Sequence, residues 1–166
     1  MPVIVESNSV AIPPQFDLVD YAAMTVDFGT RLDGVFARCA LHNPPSQLTD
    51  CIRERKWMPR HHGLVTIIPS IAIPKDPIRT EDAVRILKRF KMRRAEPYVT
   101  LNFVDTNKST PDHFVALDAT TKWNNICWAL NFTGFTAEGK RRVIFTRKDG
   151  TRWGKQEALL VYRIAS

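Results

Sequence analysis

From Tyr98 to Ile164 the chain reads YVTLNFV (98–104), FVALDA (114–119), NICWALNF (125–132), RVIFTR (142–147) and ALLVYRI (158–164). Each run is short, apolar and rich in β-branched or aromatic residues, the composition of strands. Asp149-Gly150 follows the fourth run and predicts a type I′ hairpin between Val143–Lys148 and Thr151–Trp153. Strand after strand, without a regular alternation with helices, predicts an α+β fold with a mainly antiparallel sheet.

Working upstream, the clearest helix spans about Glu81 to Arg94. Thr80 is a good N-cap, and Glu81 and Asp82 suit the positive end of the helix dipole. Lys91, Arg93 and Arg94 suit the negative end, and Pro97 stops the helix. Ala83, Val84, Ile86, Leu87 and Phe90 fall in one stripe, opposite Arg85, Lys88 and Arg89. Leu64–Ile73 is rich in β-branched residues but holds Pro69 and is followed by Pro74, which predicts an edge strand or a bulge. Between Met24 and Leu41, Val26 and Phe28 alternate with polar neighbours, as do Val35, Ala37 and Cys39 with theirs. This predicts two strands joined at Asp33-Gly34. Ser46 would cap a second helix over Gln47–Trp57. The expectation is six to eight strands and about two helices in a single domain over residues 21–166. Residues 1–20 read as an extended arm, acidic at Glu6, Asp17 and Asp20 and apolar at Val3, Ile4, Val5, Val10 and Ile12.

Of 166 residues, 44% are hydrophobic and 25% charged, which excludes a disordered or fibrous chain. No apolar run approaches the roughly 20 residues of a membrane helix. The net charge of +7 is unevenly spread. Residues 51–100 carry 12 basic and 5 acidic side chains, and residues 131–166 carry 8 and 3. Three basic clusters result. Arg53, Arg55, Lys56 and Arg60 form the first; Arg85, Lys88, Arg89, Lys91, Arg93 and Arg94 form the second. Lys140, Arg141, Arg142, Arg147, Lys148, Arg152 and Lys155 form the third. Clustered cations neutralise phosphates, and the planar fork of arginine suits them. Trp123, Trp128, Phe132, Phe135, Phe145 and Trp153 accompany the third cluster, and core filling is the expected role of these rings.

Other chemistry has weaker signals. Three cysteines are no disulfide framework. Cys39, His42, Cys51, His61 and His62 follow no standard zinc spacing, so no metal or cofactor is expected. Buried cysteines, with His61-His62 extending the basic patch, are the plainer reading. Nucleophile elbows, phosphate loops and dinucleotide fingerprints are absent, and Asp112-His113 reads as a turn.

These features predict a non-enzymatic nucleic-acid-binding protein, for RNA before DNA, gripping phosphates through clustered Arg and Lys. A small self-assembling structural protein, of viral coat or matrix style, is the alternative. It would use the basic face on nucleic acid or an anionic membrane surface, and homo-oligomerise through the arm. A small hydrolase or nuclease is the third reading. The start Met-Pro-Val-Ile-Val-Glu lacks a basic flank, which predicts an intracellular setting, cytoplasmic or nuclear.

Overall fold

The computed structural model describes residues 11–53, 59–108, 113–123, 126–148 and 150–165. In chain order the elements are β1 (Phe16–Asp20), β2 (Met24–Asp27), α1 (Leu32–Arg38), β3 (Leu41–His42), α2 (Ser46–Arg53), β4 (Leu64–Pro74) and β5 (Ile78–Arg79). There follow α3 (Thr80–Arg89), β6 (Arg93–Arg94), α4 (Pro97–Thr106), β7 (His113–Trp123), β8 (Ile126–Phe135), β9 (Arg141–Arg147), β10 (Arg152–Trp153) and β11 (Leu159–Ile164). The fold is α+β, built on a nine-stranded sheet in the order β1-β4-β11-β7-β8-β9-β3, with β2 also on β4 and β6 also on β11. Pairing is antiparallel except for β11 with β7 and β3 with β9. Among the described residues no helix is long and apolar enough to cross a membrane.

Helices cover both faces of this sheet. Phe114, Ala116, Leu160 and Tyr162 point into one core with Val35 of α1, Leu48 of α2 and Val99, Leu101 and Phe103 of α4. Val115, Leu117, Leu159 and Val161 point into a second core with Ala83 and Leu87 of α3. A strand buried on both faces gains from apolar side chains at every position, which explains the unbroken runs FVAL and LLVY.

The described residues contain four helices, two more than expected, because two apolar segments read as strands are helical. Tyr98–Val104 lies in α4. Pro97 sits in its first turn, where the missing N–H costs nothing. Pro97, Val99, Thr100, Leu101, Phe103 and Val104 are all buried, and Tyr98, Asn102 and Asp105 leave only a narrow, half-buried stripe to mark the 3.6-residue period. Val35–Cys39 falls in α1 and its cap. Leu32, Val35 and Cys39 are buried at spacings of three and four, whereas Ala37 is exposed where alternation would have buried it.

Asp149 of the expected hairpin lies outside the described residues, and the strands on either side of it do not pair with each other. Gly150 adopts φ +69°, but β10 leaves β9 and pairs with β5 instead. Trp153 is 1% exposed and its indole N–H donates to Thr80 Oγ1 at 2.8 Å, so burial of the ring beside α3 dominates the local turn preference. The proline-containing strand β4 is central, flanked by β1 and β2 on one side and β11 on the other. Pro69 is tolerated because it faces the break between β1 and β2. Its carbonyl accepts from Tyr21 N–H there, and its missing N–H interrupts no ladder. β1, the end of the acidic arm, pairs along β4 of its own chain from Phe16↔Pro74 to Asp20↔Ser70. Residues 1–10 of the arm lie outside the described residues.

Candidate nucleic-acid interface

The site grows from the way α3 ends. The helix runs Thr80–Arg89, with Arg79 rather than Thr80 in the N-cap position. Thr80 Oγ1 instead donates to Lys148 O at 2.8 Å. At the other end Met92 N–H bonds to Leu87 O and Lys91 N–H to Lys88 O, the paired bonds of a Schellman motif. The motif needs a left-handed residue, and Lys91 supplies it at φ 58° where glycine is usual. Met92 is thereby turned into the core, 4% exposed, and Arg93 and Arg94 enter β6 opposite Tyr162 and Val161. Arg93 and Arg94 thus lie on a strand, not in the helix expected through Arg94. Without a glycine at position 91 the sequence carries no visible stop before Pro97.

This turn brings Arg89, Lys91 and Arg93 to one groove of about 610 Å³, lined also by Ala11, Phe90, Arg163 and Ile164. Arg89, Lys91 and Arg93 are exposed and make no ion pair among the described residues. Arg163 rises from β11 and is held by Asp20 Oδ2 at 2.8 Å, while Asp20 Oδ1 accepts from Ser70 Oγ at 2.5 Å. Arg163 Nε is buried without a hydrogen-bond partner among the described residues. Negative potential from the C-terminus of α3 opposes an anion here, but amounts to only about half a charge. Three cations with no ion pair among the described residues outweigh it.

The remaining predicted cations are dispersed. Arg53 pairs with Asp50 at 2.7 Å and Arg85 with Asp82 at 2.6 Å, both on their own helices. Arg55 and Lys56 lie outside the described residues. Lys88 is exposed on α3 and Arg94 half-buried in β6. Arg60 is exposed beside His61, and it does not line the groove. Arg152 stands opposite Arg79 at the far end of α3, where Lys148 also sits. Arg142 and Arg147 are exposed on β9, three strands from β11, or about 14 Å at ordinary spacing. Lys140 lies in the turn before β9, and Lys155 lines a separate groove with Tyr21, Ile71 and Ile73. Arg141 is 2% exposed, inside the protein rather than on its surface. Sequence reasoning missed Arg163 as a groove residue. Its only signal was a charge inside ALLVYRI.

Beside the groove lies a buried polar chain. Tyr162 O–H donates to Glu96 Oε2 at 2.9 Å, so its oxygen accepts from His61 Nε2–H at 3.0 Å. Burial pushes the Tyr162 hydroxyl well above its usual pKa, helped by the Glu96 charge. Burial holds His61 below its usual 6.5, and Arg93, Arg60 and His62 add repulsion. The unfolded chain therefore takes up this proton first. The stability that neutral His61 supports is complete above pH 6.5 and is lost as pH falls from there through the folded-state pKa. The expected result is a thermal midpoint that falls with pH over that window, with a shallower fall in His61→Gln, measured by circular dichroism.

Cys39 donates from Sγ to Leu101 O at 3.3 Å, and burial pushes its thiol up to about 12. His42 stands next to Asn43, and His61 is engaged with Tyr162. Among the described residues no three His, Cys, Asp or Glu side chains converge as a metal site. His113 is exposed at the start of β7, and Asp112 lies outside the described residues. No family model, no curated protein and no solved structure matches this chain.

Proposed function

We propose that this chain is a nucleic-acid-binding protein whose contact site is the groove between the end of α3, β6 and the end of β11. The observation that carries this reading is the convergence of Arg89, Lys91, Arg93 and Arg163 on one groove. Three of these cations come from five consecutive residues, and a lysine holds a backbone conformation that glycine would hold with less strain. Such strain persists where the side chain has a task, and a lysine here adds a cation that glycine would not. Arg163, set by Asp20, lines the same groove.

Salt dependence of RNA binding tests the reading. A fluorescein-labelled single-stranded 12-mer RNA, titrated by anisotropy across salt concentrations, is expected to bind with a log–log slope of about −2, as three neutralised phosphates require on a single strand. Affinity indifferent to salt overturns it. Vesicles of phosphatidylserine serve as the second arm, and tighter binding to them than to RNA at equal salt also overturns it.

A further inference from the structure

We infer that the groove takes nucleic acid as an unpaired strand, with a base stacked on Phe90 and the flanking phosphates on Arg89, Lys91 and Arg93. This deepens the proposed function and rests on it. Phe90 is half-buried, yet it lines the groove between two of the cations rather than closing over the core. The Schellman turn fixes its position, because Phe90 is the C-cap and its N–H bonds to Ile86 and Leu87 carbonyls. The ring is thus presented by a rigid helix end, with a cation on the residue before it and another on the residue after it. That arrangement matches the recurrent design of single-strand sites, an aromatic platform with flanking charge on the backbone path. A duplex hides its base faces in its own stack and offers Phe90 nothing to stack on. A groove of about 610 Å³ is also of the size that encloses a small ligand such as one or two nucleotides, not a helix of paired strands. Arg163, in the same groove, contributes a planar guanidinium that Asp20 keeps in place.

The test compares wild type with Phe90→Leu and Phe90→Trp against a single-stranded RNA and a hairpin duplex RNA of equal charge. Phe90→Leu is expected to lose about 10-fold in single-strand affinity with an unchanged salt slope and unchanged duplex affinity. Phe90→Trp is expected to retain wild-type single-strand affinity and to gain emission that the single strand quenches and the duplex does not. Thermal melts establish that each variant folds; should Phe90→Leu unfold, the Phe90→Trp quenching decides alone. Equal losses toward single strand and duplex, or no loss toward either, overturn the inference while leaving the proposed function standing. Wild type that binds neither RNA overturns both.

Discussion

Replacing Arg89, Lys91 and Arg93 together by glutamine is expected to lower single-stranded RNA affinity by about 100-fold at low salt. A cation beside a polyanion is worth about 1 kcal/mol, and three of them sum to about two decades in Kd. The same variant is expected to flatten the salt dependence by about 2 units of log–log slope, since three phosphates keep their counterions. Glutamine preserves the length and apolar stem of the side chains, so loss of packing does not explain a loss of affinity. The control is a second triple, Arg142→Gln, Arg147→Gln and Arg152→Gln, which removes equal charge at positions remote from the groove. It is expected to bind within about threefold of wild type, because charges more than a Debye length of about 8 to 10 Å away are largely screened. Equal effects of the two triples would mean that the protein binds by net charge and that the groove is not the contact.

Lys91→Gly refines this result, because it separates strain from charge. A left-handed lysine costs roughly 1 kcal/mol that glycine does not. The variant is therefore expected to unfold at slightly higher urea while binding RNA about fivefold more weakly. A loss of both stability and affinity would mean that the lysine stem supports the turn.

The elements that decide the fold were readable to different degrees, for identifiable reasons. β7, β8, β9 and β11 announced themselves as short apolar runs rich in β-branched or aromatic residues. α3 announced itself because it is one-sided, with Ala83 and Leu87 buried and Arg85, Lys88 and Arg89 in water. α4 buries most of its residues, and the narrow stripe of Tyr98, Asn102 and Asp105 is a weak periodic signal. α1 is seven residues long, too short for its spacing to exclude alternation. The site was half legible. Arg89, Lys91 and Arg93 stood in a visible basic cluster, but their convergence depends on a turn that contains no glycine. Arg163 depends on a long-range ion pair to Asp20, 143 positions away, which no local pattern encodes. Cations alike in sequence thus divide by tertiary contact, some into a groove, some into ion pairs on their own helices and one into the core.

Arg141 is that last case, and its removal is expected to give the largest loss of stability among the cations. The side chain is 2% exposed. Its Nη2 donates to the carbonyls of Asn107 at 3.0 Å and Lys108 at 3.3 Å, where α4 has just ended. Helix ends leave carbonyls without partners, and a cation there is favoured by the dipole as well. The guanidinium lies 4.4 Å from the centre of the Phe135 ring and 5.5 Å from that of Phe114, so both its edges and its face are used. Arg141→Ala deprives both carbonyls of this donor and leaves a cavity, and the expected cost is about 3 to 5 kcal/mol in urea unfolding. Arg141→Lys keeps the charge but not the fork or the stacking plane, and should recover part of that loss. Arg141→Met fills the space and satisfies no carbonyl, so it should fall between alanine and wild type. None of the folded variants is expected to change RNA affinity more than about twofold, since the guanidinium never meets solvent. A urea midpoint unchanged in Arg141→Ala would show that the carbonyls find other donors. A 10-fold affinity loss in a fully stable Arg141→Lys would instead place this arginine at the nucleic-acid surface.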